Sequence, residues 1–156
     1  MNFQQMNMPS LGEPSASTVL QSLDPFGGVG VRAPLRVYLV EDSPEVRDLL
    51  LDYLHVAGEI EVVGYADTED EAVAAIIADP VDAVIVDLKL RVGNGMGVLQ
   101  RLRTARQTPA PTLIVFTNHP LPAIRARAMK FGANHFFDKS IDYEKVRSTL
   151  RSLREN

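Results

Sequence analysis

Three observations predict a doubly wound α/β fold, a five-stranded parallel sheet with helices packed on both faces. From Leu35 onward, short apolar runs rich in β-branched residues recur, as strands buried on both faces require. Segments with apolar residues at helical spacing separate them, so strand and helix alternate five times. Polar residues with helix-capping or turn chemistry punctuate the joints.

Leu35-Arg36-Val37-Tyr38-Leu39-Val40 reads as the first strand. Ser43-Pro44-Glu45 then supplies an N-cap, a proline at the first helical position and an early acid. Val46, Leu49, Leu50, Tyr53 and Leu54 keep helical spacing, so the first helix is expected to run to about Ala57 and stop at Gly58. Ile60 to Tyr65 is the second strand. Thr68 and Glu71 form a capping box ahead of a second helix with Ala72, Ile76 and Ile77 facing inward. Ala83-Val84-Ile85-Val86 is the third strand, ending at Asp87. A glycine-containing loop leads to a third helix expected from about Gly97 to Ala105, with Val98, Leu99 and Leu102 on one face. Thr112 to Phe116 is the fourth strand, ending at Thr117. Pro122 opens a fourth helix holding Ile124, Ala128 and Met129, closed by Gly132. His135-Phe136-Phe137 is a brief fifth strand before Lys139, and Tyr143 to Leu153 is the last helix, with Val146, Leu150 and Leu153 in register. Right-handed crossovers then place any site at the carboxyl ends of the strands.

Composition narrows the function classes. At 156 residues, 46% apolar and 23% charged, the chain matches one globular domain. Without cysteine, it has no disulfide, thiolate metal site or cysteine nucleophile. His55, His119 and His135 are too scattered to suggest zinc. No apolar run approaches the ~18 residues of a membrane span, and the start lacks a basic segment followed by an apolar one, so the expected setting is cytoplasmic with no membrane contact. Residues 1–33, broken by Pro9, Pro14, Pro25, Gly27, Gly28 and Gly30, are expected to be a disordered tail; residues 34–156 are the folded domain. Within that tail, Ser17 to Leu23 has the pattern of a short helix that would form on a partner.

Charge is unevenly spread. Residues 34–90 hold 14 acidic and three basic side chains, residues 91–156 hold 12 basic and four acidic, and the net is −4. An acidic cation site in the first part and a basic partner surface in the second are the functional readings; solvated helix faces are the plain one. The acidic balance and the lack of a recognition motif argue against nucleic-acid binding.

The residues after strands one, three, four and five are Glu41-Asp42, Asp87, Thr117 and Lys139. In a parallel sheet these ends lie side by side. Three neighbouring carboxylates repel unless a cation joins them, and a hard divalent ion such as Mg²⁺, with carboxylate, phosphate and water ligands, resolves that repulsion. Lys139 and Thr117 add a charge and a hydrogen bond for a phosphoryl group, and Asp87, in the middle, is the natural nucleophile.

With the pieces V-Y-L-V-E-D, A-V-I-V-D-L, I-V-F-T-N and H-F-F-D-K in this order, and Gly95 in the loop after Asp87, the chain from about Leu35 to Leu153 resembles the response regulator receiver family. The resemblance implies a flavodoxin-like sheet with strand order 2-1-3-4-5. It implies that Asp87 accepts a phosphoryl group from a histidine kinase or histidine phosphotransfer protein. Glu41, Asp42, Asp87 and a backbone carbonyl at Leu88–Lys89, taken as that of Lys89, would hold Mg²⁺. Lys139 would stabilise phosphoryl charge, and Thr117 and Phe136 would form a two-state switch reporting to the fourth helix. Asn118 stands where that family usually has a small residue, Ser140 where proline is common, and Phe136 lacks a tyrosine hydroxyl, so its switch works by packing. Ending at Asn156, the chain reads as a stand-alone receiver without a catalytic domain of its own. Its output is expected through a separate protein partner or a homodimer, on a face built from Arg125, Arg127 and Lys130 of the fourth helix and Lys145, Arg147, Arg151 and Arg154 of the fifth. The alternative is a degenerate receiver acting as a phosphorylation-independent interaction module.

Other chemistries fit less well. A haloacid dehalogenase-type phosphatase needs a second acid two residues after the nucleophile, where this chain has Lys89. A flavin carrier needs a hydroxyl-rich phosphate loop after the first strand, where Glu41-Asp42 would repel phosphate. Gly93-Asn94-Gly95-Met96-Gly97 lacks the full dinucleotide fingerprint and reads as a turn.

Overall fold

The computed structural model describes residues 30–156. The tail expected over residues 1–33, with its short helix at Ser17 to Leu23, therefore lies outside the described residues as far as residue 29. Arg32 belongs to the packed unit: its Nη1 donates to the carbonyls of Arg154 (2.7 Å) and Glu155 (2.9 Å), and Arg154 Nη2 donates back to the Arg32 carbonyl.

The elements are β1 (Leu35–Val40), α1 (Pro44–Leu54), β2 (Ile60–Ala66), α2 (Glu69–Ala78), β3 (Ala83–Val86), α3 (Gly95–Ala105), β4 (Thr112–Thr117), α4 (Pro122–Lys130), β5 (His135–Asp138) and α5 (Tyr143–Glu155). All strand pairs are parallel and the order is β2-β1-β3-β4-β5, the doubly wound arrangement expected.

Strand alternation divides the core in two. Leu35, Val37 and Leu39 of β1, Ala83 and Ile85 of β3, and Ile114 and Phe116 of β4 pack on one face with Leu50 and Leu54 of α1 and Val146 and Leu150 of α5. Tyr38, Val40, Val84, Val86, Leu113 and Val115 take the other face with α2, α3 and α4. The period of two along each strand sends successive side chains to opposite faces, and helices must cover both. β5 follows the same rule: Phe136 joins the α2–α4 side and Phe137 the α1–α5 side.

Both expected cap residues are in place, although of the capping box at Thr68 and Glu71 only the bond to the Thr68 hydroxyl forms among the described residues. Ser43 Oγ accepts from the Val46 N–H and Thr68 Oγ1 from the Glu71 N–H, both at 3.3 Å, each worth ~1 kcal/mol to its helix.

Four details differ from the sequence reading. The first helix ends at Leu54, not Ala57, because Val56 leaves the helix to bridge Ile60, and Gly58 sits at φ +77° in that turn rather than at a helix end. The third helix starts at Gly95, not Gly97, because Asn94 is its N-cap and its side chain accepts from the Gly97 N–H at 2.9 Å. Ile77 and Met129, expected inside, are 45% and 40% exposed: each lies at the margin of an apolar stripe whose centre is Ile76 or Ala128. Among the described residues, no helix is long and apolar enough to cross a membrane.

Candidate functional site

Three of the site residues are placed by a backbone bond to the neighbouring strand's last carbonyl. The Glu41 N–H donates to Ala66 (3.0 Å), the Asp87 N–H to Val40 (2.8 Å) and the Lys139 N–H to Thr117 (3.0 Å). The parallel register thus brings four strand ends to one rim. α3 closes in from below: a side chain at Gly95 would run into the backbone of Asp87 and Leu88, so only glycine lets the helix start there.

At the rim, Lys139 Nζ lies 2.8 Å from Asp87 Oδ2 and 2.5 Å from Glu41 Oε2, and all three side chains are under 10% exposed. Asp87 Oδ1 accepts from the Lys89 N–H (3.3 Å), and Glu41 Oε1 from the Ser43 N–H (3.1 Å). Asp42 is half-buried, and its carboxylate has no hydrogen-bond or ion-pair partner among the described residues. One carboxylate oxygen from each of Glu41, Asp42 and Asp87 lies within 4.8 Å of the others. The cluster opens into a cavity of about 360 Å³, with Asn118 and His119 on its far lip.

One ammonium faces three carboxylates, and the titration of the pair reflects that imbalance. Burial pushes the Glu41 carboxyl above its ordinary value; Lys139 pulls it down and Asp87 adds to the rise. Burial also works against the Lys139 charge, yet its hydrogen bonds to Asp87 and Glu41 hold the ammonium above its ordinary value. A set of convergent oxygen donors carrying excess negative charge fits Mg²⁺.

Thr117 is fully buried, and its Oγ1 accepts from the His119 N–H at 3.2 Å. Phe136 is 6% exposed and lies beside Val115 in the sheet register, in the same apolar cluster as Ala128 of α4. Glu41, Asp42, Asp87, Lys89 and Lys139 therefore line one cavity and Thr117 ends β4 next to it, whereas Phe136 lies two residues back from the end of β5, in the core. Ser140, standing where the receiver family commonly has proline, closes its own loop: its N–H and Oγ both donate to Asp138 Oδ1, at 2.8 and 2.6 Å.

The basic residues do not share one face. Arg147 lies over the Tyr53 ring at 4.6 Å, Arg151 pairs with Glu59 at 3.4 Å, and Arg154 donates to the Gly58 carbonyl at 3.0 Å, all toward the α1–β2 side. Lys145 pairs with Asp142. On α4, Arg125, Arg127 and Lys130 have no carboxylate partner among the described residues, although Arg127 lies over the Phe131 ring. What sequence reasoning missed is the packing of Asp67 and Glu69 against the loop after Asp87. Its one visible signal was the pair of glycines, Gly93 and Gly97, flanking that loop.

The family model for the response regulator receiver domain matches residues 37–151. The protein-glutamate methylesterase/protein-glutamine glutaminase 1 of Carboxydothermus hydrogenoformans is 32% identical over 116 residues, covering 74% of this chain and 34% of that protein. The chain thus spans about a third of that curated relative. The signal receiver domain of the response regulator NarL from Mycobacterium tuberculosis superposes with a TM-score of 0.72 at 23% identity, over 80% of this chain and 98% of that one. The response regulator domain of Thermotoga maritima CheB gives 0.67 at 24%, over 79% and 98%. At these identities the solved structures speak to the fold.

Proposed function

The chain belongs to the response regulator receiver family, and from that premise we propose that Asp87 takes a phosphoryl group from a histidine kinase or histidine phosphotransfer protein and that the modified chain signals to a separate partner in the cytoplasm. The observation that carries this reading is Lys139 bridging Asp87 and Glu41 beside Asp42, at the mouth of a cavity. A carboxylate oxygen of Asp87 attacks phosphorus, the P–N bond to the donor's imidazole breaks with its electron pair returning to nitrogen, and an acyl phosphate forms. Lys139 already touches the nucleophile, so its ammonium needs no reorganisation to meet the phosphoryl oxygens. Bound by Glu41, Asp42, Asp87 and the Lys89 carbonyl, Mg²⁺ would neutralise the remaining oxygen charge. The chemistry of the receiver domain is then this self-phosphorylation and the later hydrolysis of the acyl phosphate.

The Thr117 hydroxyl can turn its hydrogen toward a phosphoryl oxygen, drawing the β4–α4 loop inward. Phe136 and Ala128 share one cluster, so the shift passes to α4, where Ala128 is the one buried residue. The outer side of α4, with Arg125, Arg127, Lys130 and the exposed Leu121 and Met129, is the output face. It suits an acidic protein partner or a second copy of the chain, and its charge steers association in a salt-dependent way.

Intact-mass measurement after incubation with Mg²⁺ and a small acyl phosphate tests the central step. One added phosphoryl group supports it, and none favours a phosphorylation-independent interaction module. Two further outcomes are expected. Asp42→Asn weakens Mg²⁺ binding more than Glu41→Gln does, by roughly tenfold, or ~1.4 kcal/mol. Glu41 is engaged by Lys139 and Ser43, whereas the Asp42 carboxylate is free to coordinate. Calorimetric titration decides this, and a larger loss in the Glu41 variant reverses the assignment. Changing Arg125 and Arg127 together to Glu should remove the partners captured from cell extract only in the presence of an acyl-phosphate mimic. Partners that survive the reversal place the docking face elsewhere.

A further inference from the structure

The loop between β3 and α3 carries Asp87 and the Lys89 carbonyl, and it is gripped from a strand that is not its neighbour. Within the loop, the Gly95 N–H donates to the Leu88 carbonyl at 2.9 Å, and Lys89 and Asn94 form an antiparallel bridge, so residues 88–95 are closed on themselves. The outer edge is held by the segment leaving β2, although β1 separates β2 from β3 in the sheet. The Arg91 N–H donates to the Asp67 carbonyl, and the Arg91 guanidinium contacts both Asp67 carboxylate oxygens, at 2.8 and 3.3 Å. The Glu69 N–H donates to the Val92 carbonyl at 3.0 Å, and the Asn94 N–H donates to Glu69 Oε2 at 3.0 Å.

Two glycines are shaped around that carboxylate. A Cβ on Gly93 or on Gly97 would fall well inside contact distance of the Glu69 side chain, and Gly93 also holds φ +76°. The Glu69 side chain is 20% exposed and lies at the positive end of the α3 dipole, which favours an anion, with Arg101 Nη1 3.6 Å from its Oε1. The segment 66–69 also accepts the Glu41 N–H through Ala66, so one segment holds both Glu41 and the β3–α3 loop.

We propose that Glu69, backed by the Asp67–Arg91 pair, is a positioning residue that clamps the β3–α3 loop and fixes the Lys89 carbonyl and the Asp87 carboxylate for the metal and the phosphoryl group. The inference rests on the proposed Mg²⁺-dependent phosphorylation and assigns it a residue outside the rim. Without the carboxylate, Gly93 and Gly97 leave an unfilled hollow and the Asn94 N–H loses its acceptor, so the loop gains freedom where the metal needs an oriented oxygen. Groups that orient metal ligands in this manner change affinity on the scale of tenfold.

The test compares the natural 156-residue chain with Glu69→Ala, Glu69→Gln and Asp42→Asn, measuring Mg²⁺ affinity by calorimetry, amide hydrogen exchange across residues 88–95 without metal, and thermal stability without metal. Glu69→Ala is expected to bind Mg²⁺ about tenfold more weakly and to exchange faster in the loop. Glu69→Gln, whose amide oxygen still accepts from Asn94, should recover most of both. Unchanged Mg²⁺ affinity in Glu69→Ala, even with a lower melting temperature, reduces Glu69 to a fold-stabilising role and overturns the proposal. So does a glutamine variant as impaired as the alanine one. If the natural chain binds Mg²⁺ no better than Asp42→Asn, the metal reading itself falls and takes this inference with it, a result recognisable because the natural chain and all variants then behave alike.

Discussion

An Asp87→Asn variant given Mg²⁺ and a small acyl phosphate is expected to gain no phosphoryl group, where the natural chain gains one. The amide keeps the shape of the carboxylate but only one of its two acceptors: of the two donors now at the carboxylate oxygens, Lys139 at 2.8 Å and the Lys89 N–H at 3.3 Å, the amide oxygen stays with one and the NH2 group faces the other. The amide is not a nucleophile toward phosphorus, and an adduct on it would not be an acyl phosphate. The fold should survive: removing one charge from a cluster of three carboxylates relieves repulsion, so the melting temperature is expected to hold or rise. These two readouts move in opposite directions, which separates loss of the acceptor from loss of the domain. Label persisting in a folded Asp87→Asn chain would overturn the assignment. It would direct attention to His119, whose N–H already bonds Thr117 at the cavity lip.

The rim cluster was legible in the sequence because Glu41, Asp42, Asp87, Thr117 and Lys139 sit at strand ends, and strand ends are where apolar runs stop. Val40, Val86, Phe116 and Phe137 each mark a boundary, and the polar residues beyond them, Glu41-Asp42, Asp87, Thr117 and Lys139, converge once the strands are parallel and in order. Helix starts were readable for a similar local reason, since Ser43 and Thr68 are cap residues by type. Boundaries set by tertiary pairing were not. His55 to Ala57 can continue a helix, and only the bridge from Val56 to Ile60 takes them out of it. Asn94 is a cap by type as well, but the glycines after it conceal a helix start because their backbone freedom argues for a turn.

Charge was readable in amount and not in direction. The bases on α5 were expected beside those on α4, but helical rotation turns Arg147, Arg151 and Arg154 toward Tyr53, Glu59 and Gly58, where each finds a partner. What remains on α4 is a smaller patch with no carboxylate partner among the described residues. The Glu69 clamp was hidden for a related reason. Strand order alone puts the ends of β2 and β3 one strand apart, and only the folded loops reveal that Asp67 and Glu69 reach across to Arg91 and Asn94.

Lys139→Met should have the largest effect on stability of any change at the rim. Methionine fills a similar volume without charge, leaving Glu41 and Asp87 buried side by side with no cation between them. Breaking a buried pair from one side costs roughly 3 kcal/mol, the low end of the usual span, because this cluster opens to water through its cavity. For a domain of this size that corresponds to a fall of about 10 °C in melting temperature. The pH dependence follows from the signs. Lys139 is held above its ordinary 10.5, so its contribution is complete below that value and is lost only as the pH rises through the elevated one; it is present throughout the neutral range. Burial holds Glu41 above its ordinary 4.5, so protonation on acidification favours the folded state, and removing Lys139 withdraws the influence that opposed that rise. The stability gap between the natural chain and the variant should therefore narrow as the pH falls from neutrality toward 5, and it should also narrow on adding Mg²⁺, which supplies the missing positive charge. Labelling of the variant is expected to slow by on the order of 10²-fold, the scale for losing one preorganised charge at a site of developing negative charge. A variant that melts with the natural chain at every pH would mean that Glu41 and Asp87 do not depend on Lys139, and the central ion pair of the site would have to be reassigned.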